Sequence, residues 1–118
     1  MPVTKFEDLE VWQEAMKLAT RLYKELKDSH DYGLRDQIQR SAVSIASNIA
    51  EGFERKSNKE FIQHLYIAKG SCSELRTQLY LCSDIGVMHE KDVSAMLDSS
   101  RKISAMLYKL IKTRSERF

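Results

Sequence analysis

Apolar residues recur at spacings of three and four in four stretches of the chain, as on one face of an amphipathic helix. The first stretch, residues 6–27, predicts a helix. Its apolar stripe consists of Leu9, Trp12, Met16, Ala19, Tyr23 and Leu26. Thr4 and Glu7 have the spacing of a capping box, which places the start of the helix near Thr4. We expect this stripe to pack in the core, so that core packing rather than base stacking explains Trp12 and Tyr23.

A second helix is predicted over residues 34–53, after a polar break at residues 29–33. Its apolar stripe consists of Leu34, Ile38, Ala42, Ile45, Ile49 and Phe53. A third helix, over residues 58–85, begins at a second capping box formed by Ser57 and Glu60 and stops at Gly86. Its stripe has nearly heptad spacing and consists of Phe61, Leu65, Ala68, Cys72, Leu75, Leu79 and Cys82.

The third helix carries more apolar residues than a small bundle needs for one contact face. The surplus residues are Ile62, Tyr66, Ile67, Tyr80, Leu81 and Ile85. They indicate a second contact, made by another subunit or by the chain ends. A fourth helix is predicted over residues 91–113, with an apolar side of Val93, Met96, Ile103, Met106, Leu107, Leu110 and Ile111.

Short connections between four helices predict an all-α fold. The simplest packing is an antiparallel up-down-up-down four-helix bundle, as a single domain over residues 1–118. The composition agrees, because 118 residues with 42% apolar residues, one Pro and four Gly suit one helical domain. No signal peptide or membrane span is evident, so we expect a cytoplasmic protein that does not bind a membrane. Cys72 and Cys82 lie about 15 Å apart on one helix, too far for a disulfide, and are expected to be reduced and buried.

The net charge of +2 conceals an uneven distribution of charge along the chain. Residues 101–118 hold six basic groups and one acidic group, so this segment is +5 and residues 1–100 are −3. Within about a 100° arc of the fourth helix lie Arg101, Lys102, Lys109 and Lys112. Together with Arg114, they are the candidate contacts to nucleic-acid phosphates. A solvated helix face with a basic end that suits the helix dipole explains the same residues equally well.

Catalytic and metal-binding signatures are missing from the sequence. There is no Gly-rich phosphate loop, no H-E-x-x-H and no clustered C-x-x-C. Glu60 and His64 are four residues apart, but no second Glu–His pair accompanies them, so we expect no metal site and surface positions for the histidines. Glu51 could act as a general base if it were buried, yet an ion pair with Arg40 or Arg55, or a helix-capping role, is the simpler interpretation. We therefore expect no enzymatic activity and no cofactor.

Residues 37–52, QIQRSAVSIASNIAEG, resemble the signature of the four-helix-bundle proteins encoded in intervening sequences of bacterial 23S rRNA genes, the S23 ribosomal protein-like family. Residues 6–13 (FEDLEVWQ) are similar to the family's first helix. Residues 55–61 (RKSNKEF) and 68–75 (AKGSCSEL) are similar to its third. The resemblance covers nearly the whole chain, and the accessory protein of diversity-generating retroelements is a related bundle.

This resemblance implies a bacterial, non-enzymatic helical subunit that assembles as a homopentamer and has no settled biochemical role. RNA or single-stranded DNA is the implied ligand. The alternative is an interaction scaffold or accessory subunit for a nucleic-acid enzyme, without direct nucleic-acid contact. The motif positions carried over are Gln37, Arg40, Asn48, Glu51 and Gly52. We expect them to be structural, with Asn48 and Glu51 tying the second helix to a neighbour and Gly52 ending the helix or allowing close packing.

Overall fold

Four α-helices follow a short 3-10 turn in the computed structural model of the protein, which describes residues 3–118. The turn is Phe6–Asp8. The helices are α1 (Glu10–Glu25), α2 (Tyr32–Phe53), α3 (Asn58–Asp84) and α4 (Glu90–Arg117). Each helix packs against the next along the chain, and α1 also packs against α4, which closes the bundle. The prediction of an all-α, antiparallel four-helix bundle is confirmed.

The N-terminal helix begins later than its sequence predicts. Residues 6–8 form the separate 3-10 turn, Leu9 is extended, and α1 starts at Glu10 without a side-chain cap. The capping box predicted at Thr4 is therefore wrong. The first acidic residues belong to the turn, where Gln13 Nε2 donates a hydrogen bond to the carbonyl oxygen of Glu7 at 2.8 Å.

The face of α1 that packs in the core is also different from the predicted one. The buried residues of this helix are Val11, Ala15, Leu18, Ala19 and Leu22. Met16 and Tyr23, by contrast, are 40% and 46% exposed, and Trp12 is half-buried. At 100° per residue, the stripe of Trp12, Met16 and Tyr23 lies about 90° round the helix from the core stripe. The core positions predicted for Met16 and Tyr23 are thus wrong.

Helix α3 agrees with its sequence at both ends and along its core. Ser57 Oγ accepts a hydrogen bond from the backbone N–H of Glu60 at 3.2 Å, as a capping box requires. Gly86 follows the helix with a φ of 72°, a left-handed conformation that glycine adopts without a Cβ clash. All seven residues of the predicted stripe are buried. The two cysteines among them are free thiols, as expected.

Helices α2 and α4 extend slightly beyond their predicted ends. Helix α2 starts at Tyr32 because Asp31 Oδ1 accepts a hydrogen bond from the N–H of Leu34 at 3.2 Å. Helix α4 starts at Glu90, where His89 Nδ1 accepts from the N–H of Lys91, and it continues to Arg117. Among the helices of residues 3–118, none has a segment that is both long and apolar enough to cross a membrane.

Candidate nucleic-acid interface

The basic residues of α4 point to two sides of the helix. We call Arg101, Lys102, Lys109 and Lys112 the basic face of α4; all four side chains are exposed. Lys102 Nζ lies 3.4 Å from Glu14 Oε1, which places it on the side of α1. Lys109 borders a hollow of about 360 Å³ between the start of α1 and the end of α4. The basic face forms two ion pairs, Lys102 with Glu14 and Arg101 with Asp98. Both lie at the protein surface and therefore contribute little to stability.

Arg101 lies at the other edge of this face, towards α3. Its Nη1 lies 3.2 Å from Asp98 Oδ1, and its Nη2 donates a hydrogen bond to the hydroxyl of Tyr80 at 2.7 Å. A hydroxyl partner leaves the positive charge of the guanidinium intact, whereas the exposed carboxylate of Asp98 balances it in part. Arg101 is therefore held in place by both partners at the seam between α3 and α4.

A groove of about 270 Å³ runs along this seam, and we call it the α3–α4 groove. Its lining consists of Lys69, Arg76, Arg101, Ser104, Ala105 and Tyr108. Arg76 donates to the hydroxyls of Ser100 at 3.2 Å and Ser73 at 3.4 Å. Among residues 3–118, the ion pairs with carboxylates include neither Lys69 nor Arg76. Neither residue is among the contacts predicted from the sequence, although the two share one side of α3 at a spacing of seven.

Arg114 is placed differently from the other candidate contacts. Its guanidinium carbon lies 4.8 Å from the ring centre of Phe61 and 4.0 Å from that of Phe118. Burial lowers the pKa of this guanidinium from its usual range. The backbone carbonyl of Arg114 accepts a hydrogen bond from Asn58 Nδ2 at 2.9 Å. These contacts fasten the end of α4 to the start of α3, so Arg114 is less available to a ligand than the four exposed residues.

Asn48, from the motif on α2, lies in a polar network between α2 and α3. Asn48 Nδ2 donates to the carbonyl oxygen of Ser44 at 2.9 Å, which fixes the orientation of the amide. Asn48 Oδ1 must then accept from His64 Nδ1, which lies 3.1 Å away. The hydroxyl of Ser44 also meets that of Ser71 on α3 at 2.9 Å. Asn48 ties α2 to its neighbour as expected, and His64 is half-buried rather than a surface residue.

Gly52 is buried against α3. A Cβ atom built on Gly52 would lie 2.5 Å from the Cβ of His64 and 3.1 Å from Cδ1 of Phe61. Real Cβ atoms essentially never come as near another atom as the 2.5 Å to His64, and the contact with Phe61 is tighter than most. Glycine at this position therefore allows the close packing of the two helices, and α2 ends one residue later, at Phe53.

The other motif residues are at the surface of α2. Gln37 and Arg40 are exposed. Glu51 Oε1 lies 2.7 Å from Arg55 Nη2, four residues further on, which confirms one of the two expected ion pairs. This pair is local, so within residues 3–118 the ion pair of Glu51 does not reach another helix. Over residues 3–118, no group of three or more His, Cys, Asp or Glu residues is arranged to hold a metal ion.

Two comparisons with known proteins identify the family. The family model described as 23S rRNA-intervening sequence protein matches residues 7–109. A crystal structure of a protein of unknown function, from the S23 ribosomal protein family of Bacteroides thetaiotaomicron, superposes with a TM-score of 0.82 at 28% sequence identity. The alignment covers 87% of this chain and 99% of that one. A comparison with functionally curated proteins gave no match. The family match over most of the chain shows that this four-helix bundle belongs to the 23S rRNA-intervening sequence protein family.

Proposed function

We propose that the protein is a non-enzymatic subunit that binds RNA or other nucleic acid through its basic surface. The observation that carries this proposal is the α3–α4 groove, where cations from two helices converge beside the basic face of α4. Clustered lysines and arginines bind a polyanion by releasing its condensed counterions. The role assigned to the exposed residues is phosphate contact without base-specific recognition. The setting of this function is the cytoplasm, in keeping with two free thiols.

The experiment measures fluorescence anisotropy of labelled structured RNA and single-stranded DNA at low salt. The double variant Lys109→Glu/Lys112→Glu should weaken binding at least about tenfold. The plot of log binding constant against log salt concentration should also become less steep, by about 1.5. The matched control is Lys27→Glu/Lys91→Glu, because both lysines are exposed at the opposite end of the bundle. Lys91 lies about 27 Å from Lys109 along α4.

The proposal predicts that the control variant binds like the parent protein. Circular dichroism should show the same helix content for both variants, so that a loss of binding reports on charge. Absence of binding to both probes at micromolar protein and low salt would contradict the proposal.

We further propose that the protein assembles with itself, as a pentamer according to the family resemblance. Support comes from a groove of about 590 Å³ between α1 and α2, here called the α1–α2 groove. Its apolar lining includes Phe6, Trp12, Met16, Tyr23 and Val43. Exposed apolar surface of this kind marks protein contacts. Light scattering should give five times the chain mass of 13.7 kDa.

A monomer at micromolar concentrations would remove the proposal of self-association. The same apolar groove then favours the second candidate function, an accessory subunit whose groove accepts a nucleic-acid enzyme.

A further inference from the structure

Three exposed tyrosines accompany the cations of the α3–α4 groove. Tyr66, Tyr80 and Tyr108 are 59%, 49% and 60% exposed. On α3, Tyr66 and Tyr80 share one side with Lys69 and Arg76, because positions 66, 69, 73, 76 and 80 recur at spacings of three and four. Tyr108 lines the groove from α4. Aromatic rings and cations therefore share one open surface formed by two helices.

From this arrangement we infer that the ligand of the α3–α4 groove is an unpaired, single-stranded segment of nucleic acid, whose bases stack on these tyrosines while its phosphates contact the cations. The inference rests on the proposed function and specifies its substrate class. Base stacking on aromatic side chains combined with a basic groove is how proteins bind single strands without reading sequence. A duplex offers only phosphates to such a surface, since its bases are already stacked on each other.

The dimensions of the surface suit several nucleotides. Tyr66 and Tyr80 are fourteen residues apart, which is about 21 Å along α3. Lys69 and Arg76 lie between them in the same stripe, and Arg101 donates its hydrogen bond to the hydroxyl of Tyr80. The carboxylate of Asp98 lies against Arg101 at one end, so the strongest phosphate contacts are expected from Lys69 and Arg76.

The composition of this surface separates nucleic acid from a merely acidic partner. An acidic peptide would pair with the three cations but would give the exposed rings nothing to stack upon. Exposed rings beside Lys69 and Arg76, neither of which forms an ion pair with a carboxylate among residues 3–118, have a common use when a base and a phosphate alternate along the ligand. A nucleic-acid strand has this alternation, with each base carrying a π-face.

The test compares a labelled single-stranded oligonucleotide with the duplex of the same sequence, using fluorescence anisotropy at several salt concentrations. Tyr108→Ala and Tyr66→Ala should each weaken single-strand binding about 5- to 150-fold. Tyr108→Phe should bind within about twofold of the parent, because the phenyl ring retains the stacking surface. Tyr32→Ala is the matched control, since Tyr32 is 57% exposed but lies at the start of α2.

The outcomes separate this inference from the proposed function. Loss of single-strand binding in the alanine variants, with duplex binding and its salt slope unchanged, supports the inference. Equal binding of both probes, untouched by Tyr108→Ala, overturns the inference and leaves phosphate binding intact. Failure to bind either probe overturns both. A change of oligomeric mass in Tyr108→Ala would make this face a subunit contact and overturn the inference as well.

Discussion

Gly52 lies so close to His64 that a larger residue at this position should destabilise the protein. In Gly52→Ala, the new methyl group would meet the His64 Cβ and the Phe61 ring, and the helices would have to separate. We expect a loss of about 1–3 kcal/mol in the free energy of unfolding, as for other overpacked sites. Urea denaturation followed by circular dichroism measures it.

Gly70→Ala is the control for this prediction. Gly70 is also helical, but a Cβ there would meet no atom within 4 Å. The substitution should therefore stabilise the protein by about 0.5–1 kcal/mol. Equal stability of the two variants would contradict the close packing described at Gly52. The motif singles out Gly52 in the sequence, but its reason lies in a residue of the next helix, twelve positions away.

The buried thiol of Cys72 should make the protein less stable as the pH rises into the alkaline range. Burial in α3 raises the pKa of Cys72 to about 11, whereas an unfolded thiol ionises near pH 8.5. The stabilising contribution of the neutral thiol is therefore complete below about pH 8.5 and is lost as the pH rises towards 11. The free energy of unfolding should fall from pH 8 to pH 10, as measured by urea denaturation.

Other groups titrate over the same range of pH, so the comparison is with Cys72→Ala. This variant should lose less stability between pH 8 and pH 10 than the parent protein. A thiol of the native protein that reacts at once with Ellman's reagent at pH 8 would argue against the buried, neutral state.

At the scale of the helices, two capping boxes that look alike in the sequence have different fates. Ser57 caps α3 through the N–H of Glu60, whereas Thr4 precedes a 3-10 turn and caps no helix. Ser57→Ala should therefore lower the free energy of unfolding by about 1 kcal/mol. Thr4→Ala should change it by less than about 0.5 kcal/mol. Thermal melts of both variants make the comparison, and a larger loss in Thr4→Ala would disprove the assignment.

The sequence predicts the four helices and the core of α3 because each of them depends on a pattern within one element. It does not choose correctly between the two apolar stripes of α1, since both have helical spacing and differ only in which one meets α2 and α4. The same limit applies to the site. The cations of α4 are evident from the charge of residues 101–118. Lys69 and Arg76 line the α3–α4 groove only because of how α3 lies beside α4, which the sequence does not show.

At the scale of the whole molecule, the two proposed surfaces lie between different pairs of helices. The α3–α4 groove is basic, and the α1–α2 groove is apolar. Since α1 contacts α4 and α2 contacts α3, the grooves belong to opposite halves of the closed bundle. Subunits could therefore associate through α1 and α2 and leave each basic groove open to its ligand.

Tyr23→Glu tests this separation of surfaces. Tyr23 is 46% exposed in the α1–α2 groove, so a carboxylate there costs little in the isolated subunit but would lose its hydration in an apolar interface. Light scattering should show the mass falling to that of one chain, while circular dichroism keeps the helical signal. Tyr32→Glu, at an exposed tyrosine outside the groove, should keep the assembled mass.

A dissociated variant would also test whether the proposed assembly contributes to the proposed nucleic-acid binding. Each subunit carries a net charge of +2, so the proposed pentamer would carry +10 and would present five basic grooves to one strand. Linked sites bind a long ligand with an avidity that single sites lack. Tyr23→Glu should therefore bind a short oligonucleotide like the parent but a long one more weakly and with a smaller salt dependence. An unchanged mass in Tyr23→Glu would instead place the subunit contact elsewhere, with the exposed apolar residues Ile67, Leu81 and Ile85 of the α3 region as the next surface to alter.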